Sequence, residues 1–152
     1  MQRHNDQNHG DSDNEAVLNE VVRNTEMGKN TTEQLIHITE DRQLKASLLN
    51  QQRQFRQLNQ RAHTALAALG THGHGQGRMA KMAAHMGIAS KTMTDKSSRN
   101  LADMLIQGAT QGYTDCEMAR RDHPDASAGA MQLLDELQTL EQDIAREMKN
   151  YL

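Results

Sequence analysis

Apolar residues recur along this chain at alternating spacings of three and four, the pattern of helices that bury one face. The first such stretch follows a polar segment at residues 1–13, and Asn14 is a suitable helix N-cap. Threonine and glycine interrupt its stripe, which predicts a narrow and partly polar middle. The stripe consists of Leu18, Val21, Thr25, Gly28, Thr32, Leu35 and Thr39, widened by Val17, Val22 and Ile36.

A second helix is predicted from near Asp41 to Gly70, because glycine readily adopts the left-handed conformation that follows a helix. Its stripe consists of Leu44, Leu48, Gln51, Phe55, Leu58, Ala62, Ala65 and Leu69. A glycine-rich loop at 71–77 and a methionine-rich amphipathic stretch at 79–93 come next. That stretch is either an adaptable binding surface or the first half of the third helix, and we favour core packing or a homo-oligomer interface.

Capping residues cluster between Thr94 and Ser98, so we predict a third helix that is broken or kinked there. The helix should end at His123-Pro124, because a residue before proline avoids the helical region. Its stripe is Leu101, Leu105, Gly108, Gly112, Asp115 and Ala119, and the two glycines would let another helix approach closely. The last stripe is Ala130, Leu133, Leu137, Leu140, Ile144, Met148 and Tyr151.

Together these stretches predict one all-α domain, an antiparallel four-helix bundle over residues 14–152, with a disordered tail at 1–13. The short connections at 39–41 and 123–126 indicate antiparallel neighbours. Among the 152 residues there are one proline and 2% aromatic residues, which disfavours a β-sandwich or barrel. Ten methionines provide some of the core volume that aromatic residues usually supply.

Several features predict a cytoplasmic protein that does not enter a membrane. No segment approaches the roughly 18–20 apolar residues that cross a bilayer. The first residues, MQRHNDQNHGDSDNE, lack the apolar region of a secretory signal. Cys116 is the one cysteine, so neither a disulfide framework nor a cysteine-based zinc site is indicated.

Charge is distributed unevenly along the chain, which has a net charge of −3. Residues 1–41 carry −6, residues 42–94 carry +8 and residues 95–152 carry −5. Opposite charges within one bundle explain this pattern most economically, because they help to set helix order. The basic residues Arg42, Lys45, Arg53, Arg56 and Arg61 could follow phosphates, but the acidic total and missing aromatic platforms disfavour nucleic-acid binding.

The second helix carries no acid, since residues 42–94 form a run of 53 positions without aspartate or glutamate. The commonest chemistry inside four-helix bundles is a two-metal carboxylate centre, which takes acidic ligands from all four helices. The usual form of that centre is therefore excluded. No phosphate-binding loop, dinucleotide fingerprint or nucleophilic triad is evident either.

Three segments carry a resemblance to a known group: LNEVVRNTEMGKNTTEQLI (18–36), EDRQLKASLLNQQRQFRQL (40–58) and TDKSSRNLADMLIQGATQGYTDCEMA (94–119). With these segments the chain resembles uncharacterised ferritin-like four-helix-bundle proteins of bacteria, including clostridial-type hypothetical proteins of unknown function. The resemblance covers about residues 16–152 and implies a ferritin-like fold. It implies no activity, and in metal-binding relatives Glu26 would be the first-helix ligand.

Polar residues within the stripes are the main site candidates. If Gln51 and Asp115 point inward, they could form a polar layer with Thr25 or Glu26. Such a layer is either a register-fixing device, which we favour, or a site for a small polar ligand. Cys116 lies between Asp115 and Glu117, and neighbouring carboxylates do not activate a thiol.

Two groups of histidines are weaker candidates. Glu33 and His37 share a helical face at i, i+4, but two ligands are too few for a metal site. His72, His74 and His85, with His4 and His9, could bind transition metals only incidentally.

We therefore assign no catalytic, cofactor-binding or metal-ligating residues and predict a non-enzymatic helical-bundle protein. It is expected to self-associate or to bind a protein partner. The alternative is a ferritin-like protein that binds a metal or small ligand through Glu26, Asp115 and Glu117 without a complete two-metal site.

Overall fold

The computed structural model describes residues 3–70 and 94–152, which form four α-helices and one short 3-10 helix, with no strand in these ranges. The predicted all-α class is confirmed. The predicted loop at 71–77 and methionine-rich stretch at 79–93 lie outside the described residues. The helices are α1 (Arg3–Ile38), α2 (Arg42–Ala68), α3 (Ser98–Asp122) and α4 (Ala128–Met148), followed by the 3-10 helix Lys149–Tyr151.

Capping side chains and a glycine, all identifiable in the sequence, define the ends of α2 and the start of α3. The Asp41 carboxylate caps α2 by accepting from the backbone amides of Gln43 (2.9 Å) and Leu44 (3.1 Å). Ser97, from the predicted capping cluster, caps α3. Gly70 follows α2 with a φ of +76°, in the left-handed region predicted for it. The predicted ends of α2 and the predicted end of α3 at His123-Pro124 are therefore confirmed. The predicted break or kink at Thr94–Ser98 stays a prediction, because residues 79–93 lie outside the described residues.

The start of the first helix differs from the prediction, because α1 begins at Arg3 and Asn14 lies inside it. The Asn14 side chain accepts a hydrogen bond from the backbone amide of Ser127. The Asp13 carboxylate accepts from His123 Nδ1 and from the backbone amide of Asp125, both at 3.1 Å. These side chains bind the α3–α4 connection instead of capping a helix. The division into a tail at 1–13 and a bundle at 14–152 stays a prediction.

The core follows the predicted stripes. Most of their residues are buried, including the polar stripe members Thr25, Thr32 and Gln51. Leu69 is an exception at the end of α2, where it is exposed. Helices α3 and α4 bury a wider face than the stripes predicted, and the additional buried residues are Ala102, Ala109, Cys116, Leu134, Gln138 and Glu141.

Contacts between distant residues fix which helix ends lie together. Ser98 Oγ, at the start of α3, donates to Asp41 Oδ2, at the start of α2, over 2.8 Å. The hydroxyls of Ser47 and Tyr151 lie 3.5 Å apart, so the C-terminal 3-10 helix is beside the first turns of α2. In the described ranges no helix is both long and apolar enough to cross a membrane.

Gly28 is a point of close approach between α1 and α2. A Cβ added there would lie 2.5 Å from two atoms of the Phe55 ring and 2.6 Å from a third. The aromatic ring therefore packs directly on the α1 backbone. Phe55 occupies the space that a side chain at position 28 would need.

We expect Gly28→Ala to destabilise the protein, although alanine favours helices by about 1 kcal/mol over glycine. The buried Phe55 ring must move, and overpacking of this kind costs about 1–3 kcal/mol. Gly129→Ala in α4 is the matched control, because its Cβ would meet only Ser127 Oγ, at 4.0 Å. The control should be neutral or slightly stabilising in urea unfolding. Equal stability changes in the two variants would contradict this account of Gly28.

Candidate functional site

A buried carboxyl group at the centre of the bundle is the most unusual feature of the described residues. Glu141 on α4 is 4% exposed. No described residue forms a hydrogen bond or ion pair with its side chain. Burial of a carboxyl without partners is costly, so the surrounding structure must hold this group in place.

Gly112 on α3 makes the space that the Glu141 carboxyl fills. A Cβ at Gly112 would lie 2.5 Å from Glu141 Oε1 and 3.0 Å from Asn24 Nδ2. The sequence predicted a close approach at this glycine, and the structure confirms it. The groups that approach are a carboxyl from α4 and a carboxamide from α1.

Asn24 leaves an acceptor unused beside this carboxyl. The side chain is 2% exposed, and its Nδ2 donates to the Gly112 carbonyl oxygen at 3.2 Å and points at Cys116 Sγ at 4.0 Å. With Nδ2 used in this way, Oδ1 is buried without a donor. Near Gly112 the bundle thus holds a buried acceptor without a donor, Asn24 Oδ1, beside a carboxyl that has no hydrogen-bond partner among the described residues.

A cavity of about 30 Å³ lies beside Glu141 and is bounded by residues of all four helices. Its accessible wall is almost entirely apolar, and one side is partly open to solvent. A water molecule needs roughly 10–15 Å³ by this kind of measure, so two or three water-sized groups fit. Besides Glu141, the wall includes Met27, Gly28, Phe55, Met104, Ala109 and Ile144.

Burial raises the pKa of Glu141 well above its usual value, and the negative charge of Asp115 raises it further. The carboxyl is therefore protonated over a range in which exposed glutamates are charged. The pKa of the Cys116 thiol is also raised, first by burial and then by Glu141, Glu20 and Asp115. A protonated thiol is a poor nucleophile, in agreement with the sequence-based interpretation of Cys116.

The polar layer considered for Glu26, Gln51 and Asp115 does not form as one hydrogen-bonded unit. Glu26 pairs with His63 at 3.3 Å, and the half-buried Asp115 accepts from Gln111 at 2.8 Å. Gln51 is 1% exposed and reaches Glu147 at 3.5 Å, with its Oε1 unpartnered. Of the two residues whose inward orientation was the condition for a layer, Gln51 is buried and Asp115 is half-buried, because Cys116, one position along α3, takes the buried place.

Thr25 takes part in a separate polar contact between α1 and α2. Asn59 Nδ2 donates to Thr25 Oγ1 at 3.0 Å, and Thr25 in turn donates to the Val21 carbonyl oxygen at 2.7 Å. These buried groups satisfy one another, so the contact fixes the pairing of the two helices and leaves no open position for a ligand.

The acidic residues considered for metal binding have other partners. Glu117 Oε2 accepts from Arg120 at 2.9 Å and from Gln138 at 2.8 Å, and both interactions lower the Glu117 pKa. Within residues 9–70 and 94–152 no three histidine, cysteine or acidic side chains are grouped so that they could hold a metal ion. Glu33 and His37 are both exposed. His72, His74 and His85 lie outside the described residues, as does the side chain of His4.

The basic side chains of α2 are exposed. They are therefore accessible to acidic groups of the same chain and to an anionic partner. Arg42, Lys45, Arg53 and Arg56 are exposed, and Arg61 forms a two-pronged ion pair with Glu136 of α4 at 3.1 and 2.6 Å. That pair provides one example of the predicted attraction between the basic helix and an acidic neighbour.

Comparisons of the chain with protein-family models, curated proteins and solved structures give no match. The resemblance to ferritin-like proteins therefore stays a hypothesis drawn from the sequence. The geometry around Glu141 carries the functional argument.

Sequence reasoning did not single out Glu141, although a signal was available. Glu141 directly follows Leu140 and precedes Ile144 by three positions, so it borders the last stripe. A stripe widened by one position would have placed this acid inside, opposite the glycines of α3.

We expect the unfolding free energy of the wild type, relative to Glu141→Gln, to fall as pH rises above 4.5. The folded carboxyl has a raised pKa and keeps a proton that the unfolded chain releases near its ordinary value of 4.5. The difference should grow by roughly 1 kcal/mol per pH unit until the folded pKa is reached. Urea unfolding between pH 5 and pH 8 measures it.

Glu136→Gln is the matched control on the same helix, because Glu136 is exposed. Its difference from the wild type should change little over the same pH range. A difference between wild type and Glu141→Gln that does not depend on pH would contradict a raised pKa at Glu141.

Proposed function

We propose that this is a non-enzymatic helical-bundle protein that binds a small ligand in the cavity beside Glu141. One observation carries the proposal: a buried carboxyl without a hydrogen-bond partner lies at the wall of an apolar, partly open cavity. Small-molecule sites are typically apolar clefts with a few polar groups that fix orientation. A buried acid with a perturbed pKa is also a common mark of such sites.

We further propose an antiparallel bundle with ferritin-like connectivity. The bond between Ser98 and Asp41 supports it, because it brings the starts of α2 and α3 to one end of the molecule. The bonds of Asp13 to His123 and Asp125 support the same arrangement at the other end. Helices α2 and α3 then run in the same direction, as two of the helices in ferritin-like bundles do. A cytoplasmic location is proposed from the single cysteine.

Methionine methyl groups provide a direct test of ligand binding, because Met27 and Met104 line the cavity and Met118 is 56% exposed. The full chain, labelled with 13C at the methionine methyls, is titrated with a panel of two- to five-atom neutral, cationic and anionic compounds. At least one compound should shift Met27 and Met104 saturably and leave Met118 unchanged. If every compound leaves both cavity methyls unmoved, the proposal fails.

Filling the cavity tests whether such shifts come from inside it. Ala109→Leu places three more carbons at the cavity wall and should abolish the saturable shifts. Ala46→Leu is the matched control, because Ala46 is exposed on α2. The control variant should bind as the wild type does. Unchanged binding in a folded Ala109→Leu variant would place the ligand elsewhere.

Self-association is a second proposed function, favoured by large apolar side chains on the surface. Each of the following is at least 39% exposed: Leu49, Leu69, Tyr113, Met118 and Leu152. Exposed apolar surface of this kind can serve an interface with a second copy or with another protein.

Native mass spectrometry of the untagged full chain should then show a defined oligomer whose population falls in Met118→Lys. Met118 is the most exposed methionine of the described residues, so a charge there is tolerated by the folded monomer and disfavoured at an apolar contact. Thr110→Lys, at another exposed position of α3, is the control. A monomer at micromolar concentration would contradict self-association.

A further inference from the structure

We propose that the cavity takes a small organic cation, a primary ammonium on a short apolar chain, with the ammonium against Glu141 and the chain against Phe55 and Ile144. This inference rests on the proposed ligand-binding function and specifies its ligand class. Three independent features support it: the hydrogen-bonding capacity of the site, its charge and its size.

When Glu141 is ionised, its carboxylate and Asn24 Oδ1 are two acceptor groups near Gly112 without donors. The Glu141 carboxylate accepts only, and Asn24 Oδ1 is a buried acceptor whose amide nitrogen is already used by the Gly112 carbonyl. Glu141 Oε1 and Asn24 Nδ2 lie closest to the position that a Gly112 Cβ would occupy, and of these two side chains Glu141 lines the cavity. A ligand that complements such a site must bring N–H donors, and a primary ammonium brings three.

The charge around the cavity has the sign that a cation requires. Asp115 is the charged group of the described residues that acts on Glu141, and it is negative. Arg120, the nearest base that acts on Cys116, is occupied by Glu117, Gln138 and Asp135. A bound ammonium therefore takes the place of the proton that the empty carboxyl holds. An anionic ligand would meet the negative charges of Glu141 and Asp115.

The dimensions of the cavity limit the ligand to a few atoms inside it. About 30 Å³ accommodates two or three water-sized groups, which matches the two carbons and one nitrogen of ethylammonium. The apolar wall suits the ethyl group, and Glu141 at the wall suits the ammonium. A ligand of three heavy atoms reaches millimolar affinity at best, so titrations must extend to about 100 mM.

The test compares ethylammonium with ethanol, a neutral compound of the same size, using the methyl signals of Met27 and Met104 in the full chain. The titrations are made at pH 8 and constant ionic strength, where the amine stays charged and competition from protons is weaker than at neutral pH. We expect ethylammonium to bind at least 10-fold more tightly than ethanol in the wild type. In Glu141→Gln this preference should disappear, whereas Glu136→Gln should retain it.

The outcomes separate the two levels of the proposal. If ethanol shifts the cavity methyls and ethylammonium binds no more tightly, the cation inference fails and the ligand-binding function stands. If neither compound nor any of the panel above moves Met27 and Met104, both fail. If ethylammonium binds equally well to Glu141→Gln, the ammonium does not contact Glu141 and the inference is overturned.

Asp115→Asn provides a second variant in case Glu141→Gln does not fold. Asp115 is half-buried and its charge acts on Glu141 without lining the cavity, so the variant keeps the cavity shape. Loss of this negative charge should weaken ethylammonium binding about 2- to 5-fold and leave ethanol binding unchanged. An equal effect on both compounds would contradict the electrostatic argument.

Discussion

The central constraint on this bundle is the burial of the Glu141 carboxyl against the backbone of Gly112. The carboxyl occupies the position of a missing side chain on α3, so α3 and α4 can be this close only at a glycine. The same glycine offers its carbonyl oxygen to Asn24, which brings α1 into the contact. One small residue therefore sets the relative position of three helices, and the buried acid takes its environment from all of them.

A second polar cluster differs from the Glu141 site because its side chains have hydrogen-bond partners and stabilise the fold. Glu117, Arg120 and Gln138 bind one another near the surface, with Asp135 as a further acceptor, and every charge has a partner. Around Gly112, in contrast, Asn24 Oδ1 and the Glu141 carboxyl have no hydrogen-bond partner among the described residues. Buried groups that lack partners reduce stability, and they provide the free interactions that a ligand needs. This contrast within one molecule is the reason for placing function at the centre.

The cavity itself follows from two close approaches on opposite sides. Gly28 receives the Phe55 ring, and Gly112 receives the Glu141 carboxyl, so two bulky groups are held at fixed positions by the absence of a Cβ beneath them. The space left between them is bounded by flexible methionines, which adapt their shape at small cost. The cavity therefore has one side formed by the Phe55 ring and the Glu141 carboxyl, which are held in place, and another side formed by methionines, which can adapt their shape.

The sequence by itself determined the helices, most of their buried faces and several of their ends, because apolar spacing, capping side chains and Gly70 act locally. It also indicated a close approach at Gly112. Only the tertiary structure decided what fills that space, because a position at the edge of a stripe is buried or exposed according to how the neighbouring helix rotates. That rotation placed Glu141 and Cys116 inside and left Asp115 half-buried. The tertiary structure also decided the role of Asp13 and Asn14, which lie inside α1 and bind the α3–α4 connection, a contact between positions more than 100 residues apart in sequence.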